Sequence, residues 1–135
     1  MISLICIYLG GVLTLLMAIL HTRYYKIFNW KTEFKNISTA NTRIFYTLHI
    51  ALLLMFFIIA ATSIVYANEL SRSEGLANGL NILFAAFWFW RLIWQFVYFK
   101  KQKRQKTHPV AIVLSTMFLL LAVSYSIPVV VRFFN

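Results

Sequence analysis

The chain has 135 residues, of which 61% are hydrophobic, 18% aromatic and only 12% charged, and its mean hydropathy is +0.77. Soluble domains carry roughly 45–50% apolar residues, so a water-soluble globule is excluded and an all-α, polytopic integral membrane protein is expected. The net charge of +10 could suit nucleic acid, but the basic residues lie in short connections between apolar runs. That is the topology signal of membrane proteins and argues against a nucleic-acid partner.

The first apolar run, 2–20, is long enough to cross a bilayer. It has no charged region before it and no small-x-small site after it, so a cleaved leader is not expected. Ser3, Cys6, Gly10, Thr14, Met17 and His21 share one side of the helix, giving a stripe of small and polar groups where a neighbouring helix can approach closely. Cys6 is the only cysteine, which rules out an intramolecular disulfide and a cysteine-based metal framework.

The connection 21–43 interleaves Tyr24, Tyr25, Phe28, Trp30 and Phe34 with Arg23, Lys26, Lys31 and Lys35. Aromatic rings and lysines together favour the headgroup region, so Lys26, Trp30 and Lys31 are read as headgroup contacts on a partly helical segment lying along the membrane surface. The second span, 44–67, has Thr42, Tyr46, His49, Phe56, Ala60 and Ser63 on one face. His49 lies about 9 Å beyond Arg43 at 1.5 Å per residue.

The polar connection 68–78 carries Glu69 and Glu74 against one base, Arg72. Ser71 and Glu74 have the spacing of a capping box, which predicts that the third span, 76–99, is preceded by a helix start near Arg72. This third span contains the arginine around which the chain is organised. Asn81, Phe84, Trp88, Arg91 and Gln95 fall within one arc of about 80° at 100° per residue, while Phe87, Phe89, Trp90 and Tyr98 face other directions. An intramembrane guanidinium costs roughly 2.5–3.5 kcal/mol on insertion scales, and Gln95, one turn away, can help satisfy it.

The connection 100–108 is densely basic, with Lys100, Lys101, Lys103, Arg104 and Lys106; Lys100, Lys101, Lys103 and Arg104 are expected at anionic headgroups. Thr107, His108 and Pro109 resemble a helix start. The fourth span, 109–132, carries His108, Ala111, Ser115, Ala122 and Ser126 on one face, and Pro128 should bend its last turn.

The first and third connections hold five Lys or Arg residues each and the middle one holds one. The positive-inside rule therefore makes both basic connections cytoplasmic and both termini extracytoplasmic. With polar faces turned inward, an antiparallel four-helix bundle would gather His21, His49, Arg91 and Gln95 in its cytoplasmic half, with Asn81 and Trp88 on the same face of the third span. The bilayer is the first partner this implies.

Several chemistries could use such a cluster. A haem b site would need two histidines on different helices at similar depth; His21 and His49 come closest but differ by about 9 Å in depth at 1.5 Å per residue. A quinone or lipid site could use His49, Arg91 and Gln95 beside Trp88 and Trp94. An anion path past Arg91, or a proton path, is a further alternative, although no span contains a carboxylate. No metal-binding or hydrolytic spacing is present, so catalysis is not expected. The reading that absorbs most of the pattern is an accessory subunit that self-associates as a homo-oligomer or joins a larger membrane complex.

A histidine closing the first span (His21), Phe28 and Trp30 in the connection, Asn41 and Arg43 ahead of His49, and Phe89, Trp90 and Gln95 around Arg91 resemble a group of small bacterial four-span inner-membrane proteins. That resemblance implies the architecture and the bacterial inner membrane, and no particular activity.

Overall fold

A computed structural model describes the backbone of residues 1–100 and 109–134 and the side chains of residues 1–97 and 111–134. The expectations for Lys101, Lys103, Arg104, Lys106 and His108 lie outside the described residues, as does the side chain of Lys100. Among the described residues every regular element is helical: α1 (Ile2–Thr22), α2 (Tyr24–Ile27), α3 (Trp30–Glu33) followed by a 3₁₀ turn (Phe34–Asn36), α4 (Thr39–Val65), α5 (Ala67–Arg72), α6 (Gly75–Lys100) and α7 (Pro109–Phe134). Four of these, α1, α4, α6 and α7, are long and apolar enough to cross a bilayer.

The helix α1 is the hub. It packs against α4, α7 and α5, while α6 packs against α7 and α5. Its contact face is the small and polar stripe, with Ser3, Ile7, Gly10, Gly11, Thr14, Met17, Ala18 and His21 buried. Two glycines explain the close approach. A Cβ on Gly10 would stand 2.9 Å from the Tyr125 ring, and one on Gly11 would stand 3.0 Å from Ser63 and Ile64.

The helices α4 and α6 keep their backbones apart and meet through large rings instead. Phe56 stacks on Trp88 at 5.2 Å, and Trp88 stacks on Phe118 of α7 at 5.9 Å, with interplanar angles of 20° and 25°. Three helices thus contribute to one aromatic slab across the core, and all three residues are buried.

The start of α4 departs from the hydropathy reading. Ser38, whose hydroxyl accepts from the Asn41 amide at 3.3 Å, caps a helix that begins at Thr39, ahead of the apolar run itself. The turns before that run are not wasted, because the connection folds back along them. Trp30 is 7% exposed and packs on Phe34, Phe45, Tyr46 and His49 at 4.7–6.0 Å. Its ring therefore faces α4, whereas Lys26 and Lys31 are exposed.

The capping box is also replaced. The Ser71 hydroxyl donates to the Asn68 carbonyl inside α5, and the chain reverses at Ser73 and Gly75, both at positive φ (54° and 49°). The short α5 removes Ser71 from the helix start, so α6 begins at Gly75. Pro128 lies inside α7, which continues to Phe134.

Candidate functional site

Three polar layers cross the helices, and they differ in how their hydrogen bonds are satisfied. In the layer nearest α5, Asn81 is fully buried and donates through Nδ2 to the Leu70 carbonyl at 2.7 Å and to Ser73 Oγ at 3.2 Å. Ser73 in turn donates to Asn78 Oδ1 at 2.9 Å, and Arg132 donates to the Ser73 carbonyl. Asn81 thus ties α5 to α6, some 15 Å along the helix from Arg91 at about 1.5 Å per residue. The structure does not bring it to the histidines.

The middle layer is a knot of hydroxyls. Tyr125 Oη lies 2.8 Å from Ser63 Oγ and 3.3 Å from Thr14 Oγ1. Thr14 and Ser63 already spend their single protons on the Gly10 and Ile59 carbonyls of their own helices, both at 2.7 Å. The phenol must therefore donate, and the shorter distance makes Ser63 its main acceptor. Sequence reading passed over Tyr125 and placed the neighbouring Ser126 on the polar face of the fourth span. The spacing of Ala111, Leu114, Phe118, Leu121 and Tyr125, all buried, was the available signal.

The third layer lies beyond the aromatic slab, at the end bearing the basic connections. His21 and His49 are stacked at 4.2 Å with 20° between ring planes, and His21 also meets Tyr24 at 4.5 Å and Phe56 at 5.3 Å. The sequence reading separates the two histidines in depth, whereas the early start of α4 sets His49 level with the end of α1. Arg91, one turn beyond Trp88 on α6, holds its guanidinium carbon 5.2 Å from the centre of the Phe118 ring, a cation–π arrangement. Its charge reaches both His21 and Tyr24. Burial pushes the Tyr24 phenol up to about 12, and the Arg91 guanidinium opposes that rise. Tyr24 was not among the sequence candidates; a position three residues after His21, on the next helical turn, was the signal for it.

Gln95 is buried and donates to the Ala111 carbonyl at 3.5 Å, so it links α6 to α7. Trp88 is fully buried in the slab. Neither nitrogen of His21 has a hydrogen-bond partner among the described residues, and the same is true of Trp88 Nε1. Both imidazole nitrogens of His21 are thus left without the partners that buried polar groups normally find.

This geometry bears on the chemistry. A haem iron would have to sit between two imidazoles on opposite faces of the porphyrin, and rings in van der Waals stack leave no room for one. Among the described residues no group of three His, Cys, Asp or Glu side chains is placed to hold a metal ion.

On the outside, α6 and α7 enclose an apolar groove of about 590 Å³. Its floor includes Ala85, Ala86 and Ser126, and Phe89 and Trp90 help line it. The Ser126 hydroxyl is turned back to the Ala122 carbonyl at 2.7 Å, leaving the groove without a committed polar group.

The fold and the layers define a class: a helical protein with four helices of membrane-crossing length around buried polar layers. No family model, curated protein or solved structure matches the chain.

Proposed function

We propose that this chain is a multi-pass protein of a bacterial inner membrane, folded as an antiparallel four-helix bundle, that acts as a non-catalytic subunit and self-associates through the groove between α6 and α7. Charge asymmetry supports the orientation, with the basic connections in the cytoplasm and the termini outside. The paired levels support the antiparallel arrangement. Thr14 meets Ser63 while His21 meets His49, and Phe84 meets Tyr125 while Gln95 meets Ala111, the first pair through the shared Tyr125 hydroxyl.

The observation that carries the subunit reading is the groove. Helices associate in lipid by close packing over small residues, because apolar area alone gives no advantage over acyl chains. Here Ala85, Ala86 and Ser126 provide the recess while Phe89 and Trp90, 56% and 52% exposed, provide the projections. Hole and knob on one surface are what a two-fold contact between identical chains requires.

The test is native mass spectrometry of the protein released from nanodiscs. The wild type should appear as an oligomer, and Ala86→Leu, which fills the recess, should be monomeric with unchanged helicity. Ile58→Ala, on an exposed part of α4, should behave as the wild type. A monomeric wild type, or an Ala86→Leu variant that still associates, would defeat the reading. Topology is checked separately in a Cys6→Ser background, where Lys31→Cys should react only with permeant maleimides and Arg72→Cys with impermeant ones.

A further inference from the structure

The groove between α6 and α7 leaves the histidine layer without a role. Three features of that layer point the same way. His21 is only 6% exposed and yet both ring nitrogens lack a partner among the described residues, although one nitrogen of a neutral imidazole must donate and the other accept. An unsatisfied buried polar group is costly in protein and more so where lipid replaces water. The charge at this depth is positive, since Arg91 stands there and none of the four long helices contains Asp or Glu. The helices α4 and α6, finally, are not packed backbone to backbone as α1 is on α4 or α6 on α7, and rings fill the gap between them at Phe56, Phe87 and Trp88.

We propose that the polar layer of His21, His49, Tyr24 and Arg91 receives the acidic head of an anionic phospholipid, whose phosphate oxygens accept from His21 and Arg91 while its acyl chains leave between α4 and α6. His49 and Tyr24, both half-buried, form the rim. The slab of Phe56, Trp88 and Phe118 is the floor that stops the head from sinking into the core. Phosphate suits this donor set because a guanidinium offers it paired N–H groups and an imidazole N–H supplies another. The inference depends on insertion of the four helices and is independent of self-association.

The experiment places the purified protein in nanodiscs of phosphatidylcholine alone, or of phosphatidylcholine with phosphatidylglycerol, and counts retained lipids by native mass spectrometry. The thermal midpoint is followed by circular dichroism in parallel. Wild type should retain phosphatidylglycerol over phosphatidylcholine by about tenfold or more, the worth of one charge-assisted hydrogen bond, and its midpoint should rise with phosphatidylglycerol. His21→Phe keeps a ring for the stack and removes both nitrogens, and it should lose the preference; so should Arg91→Met. The control Lys35→Gln, at an exposed cation of the first connection, should keep it, because the pocket and not surface charge makes the selection.

Equal retention of the two lipids by wild type overturns the proposal, with water serving the imidazole. A preference that survives His21→Phe and Arg91→Met overturns it as well, as does one abolished by the lysine control. Inorganic phosphate added to phosphatidylcholine discs separates the sources. No shift in midpoint is expected, and a shift equal to that of phosphatidylglycerol would show a soluble anion and refute lateral entry. Copurified quinone without lipid selectivity would also refute it. If His21→Phe fails to fold in phosphatidylcholine, Arg91→Met and the wild-type preference still decide the matter. Failure of insertion itself appears as failure to enter the discs, which distinguishes it from failure of the pocket.

Discussion

Replacing Gly10 with alanine asks whether the hub helix is held by steric fit or by the hydroxyl knot beside it. The new Cβ would lie 2.9 Å from Tyr125 Cζ and 3.2–3.3 Å from the two Cε atoms, against an optimum of about 3.5–4.0 Å between carbons. Tyr125 is fully buried and its ring is boxed by Phe84 at 5.3 Å, so it cannot simply turn aside. Overpacking of this kind costs about 1–3 kcal/mol. Alanine returns up to about 1 kcal/mol through helix propensity, which leaves a net loss of up to about 2 kcal/mol.

Tyr125→Phe is the informative comparison. Thr14 and Ser63 keep their own carbonyl acceptors, so deleting the phenol removes one interhelical bond and strands no donor. Measured interhelical bonds in membranes average about 0.6 kcal/mol with a maximum near 1.7. Steric fit should thus outweigh the knot. Because the ring remains in Tyr125→Phe, its clash with the Cβ introduced by Gly10→Ala should persist and the two losses should come close to adding. In Tyr125→Leu the clash disappears, and Gly10→Ala should become neutral or favourable. The assay is reversible unfolding in mixed micelles on titration with sodium dodecyl sulfate, followed by far-ultraviolet circular dichroism. A Gly10→Ala protein as stable as wild type, or a cycle with Tyr125→Leu showing coupling below about 0.5 kcal/mol, would refute the argument.

Asn81→Leu deletes the donor to Leu70 and Ser73, and should destabilise the fold by about 1–3 kcal/mol through the unsatisfied carbonyl; hydrogen exchange should rise across α5 while α1 stays protected. Trp30→Ala removes the ring that anchors the first connection to α4 and should cost about 3 kcal/mol, read in the same unfolding titration, with faster proteolysis in the connection as the local sign. Tyr24 gives a pH prediction. Its phenol titrates near 10 when unfolded and near 12 when folded, so above about 10 the unfolded chain has released a proton that the folded chain retains. Stability should therefore be complete below pH 10 and fall between 10 and 12, and Tyr24→Phe should flatten that part of the curve; an unchanged slope would remove Tyr24 from the buried layer.

The buried faces of the long helices were readable because only the helical period of about 3.6 residues was needed. Asn81, Phe84, Trp88 and Gln95 are buried with Arg91 half-buried on the same arc, and the stripe from Ser3 to His21 is the contact face of α1. What hydropathy could not give was the vertical register between helices. Apolar runs mark where a helix can meet lipid and say nothing of where its backbone hydrogen bonds begin, and Ser38 starts α4 ahead of that run. That shift is what levels His49 with His21. The burial of Trp30 was hidden for a related reason: in sequence, a tryptophan among lysines looks the same whether the ring faces outward or packs on a helix that begins ahead of its apolar run. Ser71 misled in the opposite way. Its spacing to Glu74 was right for a cap, but the left-handed Ser73 closes a separate short helix first.

The contrast between the three polar layers bears on the lipid proposal more directly than any one distance. At two levels the chain places its buried donors: hydroxyls return their protons to their own helices, and the Asn81 Nδ2 amide group finds a carbonyl supplied by the turn of chain that α5 provides, although Asn81 Oδ1 has no partner among the described residues. A bundle able to do this twice had the means to do it a third time. A carboxylate or serine opposite His21 would suffice, and the α4 side chains that meet it are the rings of His49 and Phe56 instead. An imidazole without a hydrogen-bond partner among the described residues, set at the level of an arginine, is the feature that an occupant from outside the chain would account for. Placing a partner within the chain tests this. His49→Asp would supply His21 with a carboxylate and neutralise the charge of Arg91, and it should raise stability in phosphatidylcholine while abolishing the preference for phosphatidylglycerol.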